Sequence, residues 1–84
     1  MNREIQVYTR GRNENEWSFL SYGWLTDMYD VHSKAPLPRG VASNLSRSLW
    51  AHQNQTWVEM VMGGTEYRVE VGRLIEKEDL PESD

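Results

Sequence analysis

The side chains that could do chemistry are few, because the 84-residue sequence has two histidines and no cysteine. Asp27, Asp30 and His32 lie close together, and carboxylates with an imidazole can ligate a metal ion. If residues 24–33 form a helix, however, the aspartates lie on its polar side and His32 on its apolar side. Their spacing also matches no metal-binding helix motif. The sequence therefore predicts no metal site and no cofactor.

Catalytic constellations are similarly weak. Ser48 and His52 are four residues apart on a predicted helix, but no acidic third member and no nucleophile elbow accompany them. The run Gly63-Gly64-Thr65 stands between two strand-like segments, whereas a phosphate-binding loop should open a helix. Two of three glutamates in the predicted C-terminal strands could act as an acid–base pair, but such surface carboxylates are commonly inert. The three are Glu59, Glu66 and Glu70. We therefore expect a protein that is not an enzyme.

Aromatic residues are the most distinctive component: four Trp, four Tyr and one Phe. Rings are large and costly to leave in water, so each should serve either the core or a contact with another molecule. Four rings are expected on buried faces: Trp17, Phe19, Trp24 and Tyr67. Three others do not fit those faces: Tyr8, Trp50 and Trp57. The sequence thus indicates a contact surface.

The same aromatic residues suggest where a partner would bind. Hot spots of protein interfaces are enriched in Trp, Tyr and Arg. The predicted partner-binding residues are Trp50, Trp57, Arg47, Arg68, Tyr8, Glu59 and Glu70. As an alternative, aromatic and Arg side chains interleaved on one strand could stack on bases and grip phosphates. That nucleic-acid surface would consist of Gln6, Tyr8, Arg10 and Arg12.

Hydrophobic periodicity predicts the elements that position these residues. Residues 4–10 alternate with period two, and a turn over 11–15 leads to a second strand over 17–22. Two short helices are predicted over about 24–33 and 41–53, separated by a proline-containing connector. A glycine hairpin over 56–71 completes a ββ-αα-ββ order. We expect a small single α+β domain, with about four antiparallel strands covered on one face by one or two short helices.

Charge is uneven along the chain. The net charge is −4, and residues 54–84 carry three basic and eight acidic residues. We expect a folded domain over residues 1–75 and an acidic, flexible tail over 76–84. Because there is no cysteine, no apolar leader and no apolar run of membrane-spanning length, we predict a cytoplasmic protein that does not contact the membrane.

These observations favour a small non-enzymatic protein-binding module. It would act as an inhibitor or adaptor that occupies a surface of a larger protein or protein complex, as a monomer or homodimer. Small acidic proteins of phages and mobile elements that block host defence complexes are similar in size and composition. A nucleic-acid-binding protein is one alternative, although the net negative charge disfavours it. A self-assembling structural subunit that pairs strand edges across a two-fold axis is another.

Overall fold

The computed structural model describes residues 2–75, which form a curled five-stranded sheet and one helix. The elements are β1 (Asn2–Arg10), β2 (Ser18–Leu25), β3 (Val31–Ser33), α1 (Val41–Ala51), β4 (Trp57–Met62) and β5 (Thr65–Ile75). The strand order is β3-β2-β1-β5-β4, and all neighbours are antiparallel. The N-terminal strand is therefore the central one. The predicted 76–84 tail lies outside the described residues.

The core lies between α1 and one face of the sheet. Val41, Leu45 and Leu49 recur at helical spacing and are all buried. They pack on the inward side chains of the strands, whose alternation the sequence shows: Ile5, Val7, Val58, Tyr67 and Val69. The helix contacts both edge strands, β3 and β4, and so it crosses the sheet. Burying each of these aliphatic side chains contributes roughly 1.5–3 kcal/mol.

The hairpin of β4 and β5 confirms the glycine turn. Gly63 and Gly64 have φ values of 61° and 80°, the left-handed geometry that a two-residue hairpin turn requires and that glycine adopts without strain. Met62 pairs with Thr65 across this turn, and Val58 with Val69 further along. The turn fixes the register and therefore decides which side chains face the core.

The helix predicted over 24–33 was wrong. Trp24 and Leu25 end β2, residues 26–30 form a turn, and β3 returns to pair with β2. Within the turn, the Thr26 hydroxyl accepts a hydrogen bond from Asp30 N at 3.0 Å, and Tyr29 adopts φ 62°. Leu25 and Val31 are opposite each other and both buried, so strand pairing produces the apolar pattern that suggested a helix. Residues 2–75 thus form five strands and one helix, instead of the predicted four or so strands with one or two helices.

Candidate interaction face

One side of the sheet is not covered by α1. We call it the outer face. It carries the side chains that alternate with the buried ones, and the strand register arranges them in rows across the sheet. One row is Tyr22, Gln6, Glu70 and Trp57; the next is Phe19, Tyr8, Arg68 and Glu59. Because neighbouring strands lie about 4.8 Å apart, side chains within a row are in contact range.

Aromatic rings occupy the half of the outer face formed by β1, β2 and β3. The Tyr8 and Phe19 ring centroids are 5.8 Å apart with an edge-to-face geometry, and those of Phe19 and Tyr22 are 4.7 Å apart. Trp24 stacks on His32 at 5.0 Å. Phe19 and Tyr22 are 49% and 51% exposed. Phe19 and Tyr22 therefore contact each other while about half of each side chain stays exposed to solvent.

Ion pairs occupy the other half, formed by β5, β4 and the C-terminal end of β1. Arg68 donates from Nε to Glu70 at 3.0 Å and from Nη1 to Glu59. Arg10 donates to both carboxylate oxygens of Glu66, at 2.8 and 3.0 Å. Two-point pairing of this kind fixes the orientation of both side chains. These charged side chains of the outer face are therefore fixed by ion pairs within and between the strands.

The pairing changes the pKa of three groups: Arg10, Glu66 and Arg68. The hydrogen bond from Arg10 lowers the pKa of Glu66, and the same bond raises the pKa of Arg10. For Arg68, burial acts to lower the pKa, but the hydrogen bonds to Glu70 and Glu59 outweigh it and the pKa is raised. All these groups stay charged near neutral pH.

Two tryptophans cover the paired arginines. The Arg68 guanidinium lies 4.4 Å from the centre of the Trp57 ring, and the Arg10 guanidinium lies 4.3 Å from that of Trp17. Cation–π contacts of this kind contribute about 0.5–1 kcal/mol at exposed sites. Trp57 is nevertheless 42% exposed. Its ring is thus fixed in place and accessible.

The structure brings together five of the seven predicted partner-binding residues. On the outer face lie Tyr8, Trp57, Glu59, Arg68 and Glu70. Trp50 and Arg47 are exposed on α1, which covers the opposite side of the sheet. Trp50 contacts Tyr29 edge-to-face at 5.4 Å and is 58% exposed. One flat surface of a partner cannot reach both groups.

The alternative nucleic-acid set is only partly assembled. Gln6, Tyr8 and Arg10 share the outer face, and the Tyr8 hydroxyl donates to Gln6 Oε1 at 2.6 Å. Arg10 is engaged with Glu66. Arg12 lies in the turn after β1, where its guanidinium is close to Gly64; a Cβ added there would be 3.1 Å from Arg12 Nη2. The arginines of this set therefore do not form a continuous phosphate-binding row.

Residues considered for chemistry are dispersed. His32 is an exposed strand residue stacked on Trp24, while Asp27 and Asp30 belong to the preceding turn. His52, predicted to lie on the same helix as Ser48, follows the last turn of α1 and is exposed. Within residues 2–75, no three His, Asp or Glu side chains are grouped so that they could hold a metal ion.

Phe19 and Tyr22 are functional candidates that the sequence analysis missed. Phe19 was assigned to the core, but it lies exposed on the outer face. The segment 17–22 is apolar on both faces, so alternation alone could not decide the orientation. Ser21 and Gly23 are the sequence signal that indicates the orientation of this strand. Because small residues at every second position occupy the crowded inner side, Tyr22 and Trp24 face outward.

Comparisons of the chain with protein-family models, with curated proteins and with solved structures give no match. Among residues 2–75, no helix combines the length and the apolar character needed to cross a bilayer.

Proposed function

We propose that this protein is a small non-enzymatic protein-binding module whose outer face occupies a surface of a larger protein. One observation carries the proposal: among residues 2–75, the sheet face opposite α1 presents Phe19, Tyr22 and Trp57, each about half exposed and each held by a neighbouring side chain. Rings fixed in this way lose little conformational entropy on binding, which favours their use as interface anchors. An inhibitor or adaptor role, as in small phage or mobile-element proteins, fits a domain that presents such a surface.

The ion pairs favour a protein partner over nucleic acid. On the outer face, Arg10 pairs with Glu66, Arg68 with Glu59 and Glu70, and Arg73 with Glu4 at 3.4 Å. A phosphate backbone would have to compete with these carboxylates for each guanidinium and would be repelled by them. A protein surface can match both charge signs.

The proposal is tested by capturing the partner and then mapping the surface. The tagged protein is purified from its native host with nuclease treatment, co-purifying proteins are identified, and the strongest candidate is produced in pure form. Its affinity is then measured by calorimetry for the wild type, for the double variant Phe19→Ser/Tyr22→Ser and for Trp50→Ala as a matched aromatic control on the other side. We expect the double variant to weaken binding at least about 30-fold, which corresponds to an interface hot spot of roughly 2 kcal/mol, and the control to bind normally.

The same experiment separates the alternatives. Recovery of nucleic acid without a stoichiometric protein contradicts the proposal and favours the nucleic-acid alternative. Loss of binding only in Trp50→Ala moves the interface to the helix side. A stable homodimer at low concentration, with no other partner, supports the self-assembling alternative; the long edge of β4 is where such pairing would occur.

A further inference from the structure

A notch lies on the outer face between β1 and β5. Its volume is about 130 Å³, and it is lined by Glu4, Gln6, Glu70, Val71 and Gly72. The register of β1 with β5 shifts between Arg3 and Ile5, so that β5 has one extra residue opposite Glu4. Bulges of this kind locally bend a strand and redirect its side chains. Here the bulge opens the space between the two carboxylates.

Gly72 keeps the floor of the notch open. A Cβ added there would lie 3.4 Å from the Glu4 carbonyl oxygen and 3.5 Å from Glu4 Oε1. Those distances are ordinary contacts, so a methyl group fits without displacing the backbone. Its φ is also not among the positive values, which means that the backbone does not require glycine at this position. The missing side chain thus determines the depth of the notch rather than the fold of the strand.

The walls of the notch retain hydrogen-bond acceptors. Glu70 accepts from Arg68, and Glu4 pairs with Arg73 at 3.4 Å. An ionised carboxylate has about four lone-pair sites, so both groups keep acceptor capacity toward the opening. The outer face has four glutamates and three arginines: Glu4, Glu59, Glu66 and Glu70 against Arg10, Arg68 and Arg73. This excess of one carboxylate favours a partner that brings a cation.

Aromatic rings flank the notch on both sides. Trp57 is the cross-strand neighbour of Glu70, Tyr22 that of Gln6 and Trp24 that of Glu4. Lysine and arginine side chains have an apolar stem and a charged head, which suits a carboxylate-lined notch with aromatic rings on the neighbouring strands. Phosphate groups and acidic peptides are excluded by the same carboxylates.

We infer that the notch receives a lysine or arginine side chain from a segment of the partner protein, while apolar neighbours of that residue rest on Phe19 and Tyr22. This inference names the chemistry of the partner and rests on the proposed function of the outer face.

The test uses short synthetic probes and amide chemical shifts of the isotope-labelled protein. The probe is acetyl-Ala-Leu-Arg-Leu-Ala-amide, and the matched control replaces Arg by Gln. We expect the Arg peptide to shift the amides of Gln6, Glu70 and Gly72, and to bind about fivefold more tightly than the Gln peptide, the gain of roughly 1 kcal/mol that an exposed ion pair with a ring contact provides. A Lys peptide should behave like the Arg peptide.

Variants of the protein locate the effect. Gly72→Ala should narrow the notch and reduce the preference for Arg while its spectrum stays that of a folded protein, and Glu70→Gln should reduce the preference as well. Glu16→Gln, an exposed glutamate before β2, should keep it. Equal binding of both peptides, shifts confined to α1, or no binding of any peptide overturns the inference. The proposed function is judged separately by the captured partner: loss of its binding in Phe19→Ser/Tyr22→Ser with full binding in Gly72→Ala means that the outer face binds protein but the notch takes no cation.

Discussion

The two faces of the sheet use the same strands in opposite ways. On the helix side, small and aliphatic side chains such as Ile5 and Val69 are sealed under Leu45 and Leu49. On the outer face, rings and ion pairs contact one another and remain accessible. The difference indicates that the buried apolar core lies on one face of the sheet, while the rings and charges of the other face stay accessible. The predictions below test this division of roles.

The largest difference is expected between a core residue and an outer-face ring. Leu45→Ala removes a fully buried side chain and should lower the free energy of unfolding by about 2–5 kcal/mol. Phe19→Ala removes a half-exposed ring and should cost about 1 kcal/mol, mainly its contacts with Tyr8 and Tyr22. Denaturant unfolding of both variants measures the difference. Equal losses would show that the outer face also contributes to the core.

Two glycines provide a matched pair, one on each face. A Cβ at Gly23, on the helix side, would lie 1.9 Å from the His32 carbonyl oxygen, so the backbone of β3 has to move. We expect Gly23→Ala to cost about 1–3 kcal/mol, as overpacked sites do. Gly72→Ala, on the outer face, should leave stability nearly unchanged. The Lys34 amide, which follows β3, donates to the Tyr22 carbonyl of β2 at 2.9 Å, so its hydrogen exchange reports the loss of this pairing. Unaltered protection of Lys34 in Gly23→Ala would contradict the expectation.

Trp50 and Trp57 separate stability from binding. Each has a single ring or cation contact and is about half exposed, so either alanine variant should cost about 1 kcal/mol in stability. Binding of the captured partner should be lost only in Trp57→Ala. Calorimetry on both variants checks this. The reverse pattern would place recognition on the helix side.

The smallest effect concerns pH. The pKa of Glu66 is lowered in the folded protein, so the unfolded chain takes up this proton first as the pH falls. The pair with Arg10 therefore stabilises the protein above the ordinary pKa of 4.5, and this contribution disappears as the pH drops through the lower folded value. The stability difference between wild type and Glu66→Gln should shrink below about pH 4.5. A difference that persists unchanged at pH 2 would mean that Glu66 acts through packing.

Local sequence rules predicted the regular parts of this fold. Alternation located β1 and the β4–β5 hairpin, and the glycine pair located its turn. The helix over 41–53 agrees with Val41–Ala51 within two residues. These elements agree because their local preference and their burial coincide.

Residues 24–33 show where local rules fail. Trp24, Leu25 and Met28 fit a helical arc, but Met28 is 78% exposed at the tip of the β2–β3 turn. Gly23 allows β3 to approach β2 closely, and that approach depends on long-range packing of Val31 under α1. The orientation of Phe19 fails for a similar reason, because both sides of segment 17–22 are apolar. From the sequence, the side chains of the outer face could be predicted only for strands in which apolar and polar residues clearly alternate.

The central position of β1 has a consequence for synthesis. β1 pairs with β2 on one side and with β5 on the other. The Arg3 side chain donates a hydrogen bond to the carbonyl oxygen of Gly72, 69 residues later in the sequence. When β1 and β2 leave the ribosome, one hydrogen-bonding edge of β1 has no strand beside it until β5 has been translated. An unpaired edge is a template for pairing with other chains. Nascent chains stopped before β5 should therefore recruit chaperones or aggregate.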